Sequence, residues 1–191
     1  MKDIYNILDK NKSTDEIYVI REGVTEISKA FVDCSKVTSI VISDSVTNIE
    51  DGAFNYCSGL TSISVDPNNM NFSSLDGVLY DKEKTKIIKV PCGKTDDVVI
   101  PGSVISIASF SFCTCTRLTS IVIPNSVTDI GYGAFLSCEG LTSIDIPNSV
   151  TSIGEFAFGN CIGLTSIVIP NSVTDIGDCA FSFCEGLTSI S

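Results

Sequence analysis

Leu118–Gly140 reads Leu-Thr-Ser-Ile-Val-Ile-Pro-Asn-Ser-Val-Thr-Asp-Ile-Gly-Tyr-Gly-Ala-Phe-Leu-Ser-Cys-Glu-Gly, and the blocks starting at Leu141 and Leu164 nearly repeat it. A strict period of this kind sets the architecture before any other feature is weighed. Within the block, Ile121 and Ile123 share one side at the strand period of two, while Ser120 and Val122 face the other way. Pro124-Asn125-Ser126 is a turn, because proline fixes its own backbone and donates no hydrogen bond. Val127 and Ile130 return to the interior, Gly131 relaxes the chain, and Ala134-Phe135 form a helical or 3₁₀ turn that fills the core. Cys138 closes the coil and Glu139-Gly140 leads into the next strand. One block cannot cover its own apolar side, so the blocks must stack. Stacking places equivalent residues about 4.8 Å apart on parallel strands and lines up Phe31, Phe54, Phe112, Phe135, Phe158 and Phe181.

Outward from this block the period holds with one exception. A copy runs from Val37 to Gly59, a decayed one from Thr95 to Arg117, and a shortened one precedes Val37. A further block starts at Leu187 and stops at Ser191. The stretch of about 60–94 is longer than a block: Asp66-Pro67-Asn68-Asn69 signals a turn, and Gly77–Tyr80 and Lys86–Val90 flank Asp81–Thr85 as a β-hairpin. It is one enlarged coil, after which Val98 and Ile100 resume the pattern. Residues 1–16 are expected to cap the first coil, with Ile4, Ile7 and Leu8 at helical spacing, and residues 17–191 to form the solenoid. The last strand has no matching cap, which invites edge pairing.

Composition excludes several activities. The 191 residues include 12 Lys+Arg, 23 Asp+Glu and no His, for a net charge of −11. Nucleic-acid surfaces need clustered cations, so no nucleic-acid partner is expected. Without histidine there is no Ser-His or Cys-His nucleophile pair and no His-ligated metal, and the regular groove of a solenoid offers no cleft for paired carboxylates. The expectation is therefore no enzyme, no cofactor and no metal. No apolar run is long enough to span a membrane, and no signal peptide is visible at Met1–Lys10.

Six of the nine cysteines occupy one block position: Cys34, Cys57, Cys115, Cys138, Cys161 and Cys184. Parallel stacking points their thiols alike, which suits a buried column and not disulfides or zinc spacing. Cys92, Cys113 and Cys179 lie off that column, and Asp129, Asp175 and Asp178 are weak candidates for calcium. The candidate partner-binding residues are those facing outward from the first strand of each block: Ser39, Val41, Ser62, Ser64, Ser120, Val122, Ser143, Asp145, Ser166 and Val168. Hydroxyls beside apolar groups suit a protein partner. The hairpin lysines Lys82, Lys84, Lys86 and Lys89, with Lys94, are a second candidate, and the last strand is a candidate for self-association.

The run L-T-S-I-x-I-P-N-S-V-T-x-I-G-x-x-A-F-x-x-C-x-G resembles the BspA-like, or Treponema-type, leucine-rich repeats of bacterial surface proteins. The resemblance covers about residue 17 to 191. It implies a leucine-rich-repeat solenoid: a β-rich right-handed coil of about seven turns with a parallel sheet and short helical or 3₁₀ turns. It also implies a cell-surface or secreted protein that adheres to host matrix or cell-surface proteins. The missing export signal leaves a cytoplasmic scaffold or self-assembling repeat protein as the alternative.

Overall fold

The structure, a computed structural model, describes residues 17–95 and 98–191; the expected cap over residues 1–16 lies outside them. The described chain winds as a solenoid in which each coil has three sides, all hydrogen-bonded to the next coil. On the first side, β1 (Ile17–Val19), β3 (Ser39–Ile42) and β5 (Ser62–Val65) pair in parallel, with Ile17 opposite Ser39 and Ser39 opposite Ser62. Beyond the enlarged coil this side continues through parallel bridges from Val122 to Asp145 and on to Val168. It ends with β12 (Ser166–Ile167) beside β14 (Ser189–Ile190).

The second side is also a parallel sheet, where one block taken alone shows only Val127 and Ile130 returning to the interior. β2 (Glu26–Ile27) pairs with β4 (Asn48–Ile49). After the enlarged coil, β8 (Lys86–Lys89), β9 (Ser106–Ile107), β10 (Asp129–Ile130), β11 (Ser152–Ile153) and β13 (Asp175–Ile176) follow in order. Two residues per coil look too short for a strand in one block. The stack makes them one, because the neighbouring coil supplies a partner for each backbone group.

The third side corrects the expected helical turns. Only Lys29–Phe31 forms a 3₁₀ turn among the described residues. Elsewhere alternate N–H groups leave the coil instead of closing a helix. Phe110, Phe112 and Thr114 donate to the carbonyls of Tyr132, Ala134 and Leu136 in the next coil at 2.9, 2.8 and 2.8 Å. Gly133, Phe135 and Ser137 repeat the pattern onto Glu155, Ala157 and Gly159. Two left-handed residues per coil accompany this alternation. One column holds Gly52, Phe110, Gly133, Phe156 and Cys179, the other Asp33, Tyr56, Thr114, Ser137, Asn160 and Phe183, all with φ between 54 and 75.

The core runs down the axis. Phe112, Phe135, Phe158 and Phe181 stack with centroids 4.7, 5.2 and 5.4 Å apart, and Phe31 meets Phe54 at 5.7 Å. Val90 takes the phenylalanine's place in the enlarged coil, its N–H reaching the Ser111 carbonyl at 2.8 Å as Phe112 reaches Ala134. The glycines that follow the second-sheet strand, Gly131, Gly154 and Gly177, have no left-handed φ. Close approach requires them instead: a β-carbon on Gly154 would lie 2.7 Å from the Gly131 carbonyl carbon.

The enlarged coil forms the expected hairpin and adds a strand. β6 (Phe72–Leu75) and β7 (Val78–Asp81) are antiparallel, as are β7 and β8, so the insertion extends the second sheet. Buried Asn69 fixes its start, donating to the Ser43 and Val46 carbonyls and accepting from the N–H groups of Asn71 and Phe72. The insertion shortens the third side of this coil. Lys89, 2% exposed, spans that gap: its ammonium donates to Phe110 O, Cys113 O and Asn55 Oδ1 at 3.1, 3.3 and 3.4 Å.

Candidate functional site

Strand alternation positions the candidate face. Ile40, Ile63, Ile121, Ile144 and Ile167 point inward and are buried, so their neighbours along the strand point out. Val122 is 82% exposed and Val168 65%, with Asp145 paired between them. Ser64, Ser120, Ser143 and Ser166 are exposed as well. Ser39, Val41 and Ser62 are only half-buried, and Ser62 Oγ donates to Ser39 Oγ at 3.0 Å. The ten residues therefore differ in how much surface they offer.

They also do not form one unbroken strip. The hairpin lies against β5: Ile63 N–H donates to Gly77 O at 2.8 Å and Val65 N–H to Ser74 Oγ at 3.1 Å. This splits the face into a panel of Ser39, Val41, Ser62 and Ser64 and a panel of Ser120, Val122, Ser143, Asp145, Ser166 and Val168. At the break opens a cleft of about 460 Å³, lined by Val90, Lys94, Val98, Arg117, Leu118 and Ser120 among others.

Three further residues belong to the face. Ile17 and Val19 are exposed in register with Ser39 and Val41, and Val99 is 78% exposed at the cleft. Alternation held the signal in both places, since Val19 sits between Tyr18 and Ile20, and Val99 between Val98 and Ile100. The shortened first block hid the former and the long insertion the latter.

Neighbouring threonines have a different task. Hydroxyls of Thr61, Thr142, Thr165 and Thr188 donate to the carbonyls of Thr38, Thr119, Thr142 and Thr165, one coil back, at 3.0–3.5 Å. Their recurrence serves the stack, and the adjacent serines are the hydroxyls turned outward.

The cysteine column makes a comparable ladder. Cys57, Cys138, Cys161 and Cys184 donate from sulfur to the carbonyls of Phe31, Phe112, Phe135 and Phe158, at 2.7 Å for the first and 3.1 Å for the others. Burial pushes the Cys57, Cys115 and Cys161 thiols up to about 12. Off the column, Cys92 and Cys113 are buried and Cys179 is exposed. Asp129 and Asp175 flank Ser152 across two strand spacings of the second sheet, so their carboxylates do not converge on one ion. The lysines form no single patch either: Lys89 is buried, and Lys82 bonds Pro67 O and Asn69 O within its own coil. Among the described residues no helix is long and apolar enough to cross a membrane.

Known proteins share this arrangement. A leucine-rich repeat protein from Eubacterium ventriosum is 34% identical, with a TM-score of 0.81 over 91% of this chain and 47% of its own. The pneumococcal vaccine antigen PcpA is 27% identical, with a TM-score of 0.81 over 87% and 42%. A leucine-rich cell surface protein from Faecalibacterium prausnitzii is 31% identical, with a TM-score of 0.75 over 91% and 52%. The chain thus spans about half the length of each. Among curated proteins, none matches by sequence. The BspA-type leucine-rich repeat model matches residues 9–92 and 88–191 in six copies, and the chain belongs to that family.

Proposed function

We propose that the chain is a non-enzymatic protein-binding module acting in attachment at a cell surface, with a host matrix or cell-surface protein as partner. The observation that carries this reading is the exposed Val122–Asp145–Val168 row in a face built by successive coils. A row of two exposed valines around one carboxylate offers apolar burial and a charged hydrogen-bond acceptor, while its spacing is fixed by the backbone. Two of the neighbours described above carry cell-surface or antigen in their names, which supports the location.

The test is capture of matrix and cell-surface proteins on the immobilised chain, followed by titration with the partner found. Val122→Ser, Asp145→Ser and Val168→Ser together should weaken binding tenfold or more, since burying each valine is worth about 1.5–3 kcal/mol. Chelation should leave it unchanged. Intact binding in the triple variant, with loss on Lys84→Glu/Lys86→Glu, would place the interface on the hairpin instead. Release by surface proteolysis of intact cells supports attachment, and full protection supports an internal scaffold. A second reading is self-association through β14, whose Ile190 is exposed, and sedimentation across a concentration series tests it.

A further inference from the structure

In one left-handed column of the third side, two residues are phenylalanines. Phe110 and Phe156 have φ of 59 and 54, in the column that holds Gly52 and Gly133 in other coils. A β-carbon is disfavoured in that region, so the backbone alone selects glycine there. Neither ring belongs to the buried core. Both instead flank Tyr132 edge-on, with centroids 5.0 and 6.0 Å away and interplanar angles of 73° and 72°. Gly133 clears the path, since a β-carbon on it would stand 2.9 Å from Phe110 Cε1. Tyr132 is 41% exposed. The three rings thus form a ridge along the stacked turns, away from the first sheet.

Carboxylates border this ridge at both ends. Glu50 and Asp51 line the same small cavity as Phe110, and the buried Lys89 that also lines it directs its ammonium to the oxygens of Phe110, Cys113 and Asn55. Glu155 precedes Phe156, and the backbone carbonyls of Glu155 and Asp178 accept from Gly133 and Phe156. All four acids are exposed, and residues 118–191 contain no Lys or Arg to neutralise the C-terminal pair. Lys29 occupies the left-handed column's place only in the first coil.

We infer that the Phe110–Tyr132–Phe156 ridge is a second binding surface, and that its ligand is an extended polypeptide segment rich in arginine. A guanidinium lies flat on an aromatic face while its edge donates to carboxylates, and the ridge supplies both within one coil spacing. A lysine ammonium satisfies the carboxylates but stacks less well.

The test uses the whole chain and fluorescein-labelled oligo-arginine and oligo-lysine peptides of equal length, read by anisotropy at physiological salt. Oligo-arginine should bind more tightly. Tyr132→Ser/Phe156→Asn should weaken it about fivefold or more at unchanged net charge, with an unchanged thermal midpoint, because asparagine accepts the left-handed region. Glu155→Gln/Asp178→Asn should weaken it more than Asp129→Asn/Glu139→Gln, which removes equal charge outside both surfaces. Should the ring variant fail to fold, Tyr132→Leu replaces it, retaining an apolar body without a π-face. Unchanged binding in the ring variants, or equal loss in the two charge variants, reduces the effect to diffuse attraction by an acidic protein and overturns the assignment.

Discussion

The cysteine column shows how one residue type serves a stacked chain. Its thiols are small and mostly buried, and those of Cys57, Cys115, Cys138, Cys161 and Cys184 reach back to a carbonyl in the preceding coil. The column was legible in the sequence, because six cysteines fall on one block position. Its hydrogen-bonding role was not, since the acceptor lies one coil earlier and on a different block position. A pH dependence follows. Burial raises the Cys57, Cys115 and Cys161 thiols from an ordinary value near 9 to about 12, so the folded chain keeps protons that the unfolded chain has released. Their contribution is complete below pH 9 and is lost as pH rises toward 12, at up to about 1.4 kcal/mol per pH unit for each thiol. Urea-unfolding midpoints across that window should fall, and Cys161→Ala should make the fall shallower. A flat profile would show that these thiols ionise alike in both states.

At the scale of the element, stacking decides what a short segment becomes. Asp129-Ile130, Ser152-Ile153 and Asp175-Ile176 are strands because each lies beside an equivalent pair, not because two residues favour extension. A single block therefore revealed the first sheet, with its longer alternation, and concealed the second. The glycines mislead in the same way. Gly131 reads locally as a flexible joint, whereas its missing β-carbon admits the backbone of Ala108 and Ser109 from the coil before. Gly154→Ala should destabilise the chain by about 1–3 kcal/mol, since backbone and not a movable side chain blocks the new methyl. Gly102→Ala meets nothing within 4 Å and should be neutral or gain about 0.4–1 kcal/mol. Chemical denaturation of both variants checks the contrast, and equal effects would remove close packing as the reason for the glycine column. Much of the candidate face was readable as well, because outward residues alternate with isoleucines. Its division was not readable, because only folding shows the hairpin lying against β5.

For the whole molecule, the repeat separates the buried core from the outer faces. Phenylalanines, isoleucines and cysteines line the interior in register, while the outer faces vary from coil to coil without disturbing it. Nearest-neighbour stacking of this kind makes coils interchangeable. Excising Leu141–Gly163, one complete block, tests this most directly. The shortened chain should keep its far-ultraviolet dichroism and a cooperative melt, with Phe135 now packing on Phe181. Excising Leu141–Ser152, a smaller piece that breaks the period, should abolish both. Loss of folding in the full-block deletion, or survival of the out-of-register one, would contradict a fold held together by stacked, equivalent coils.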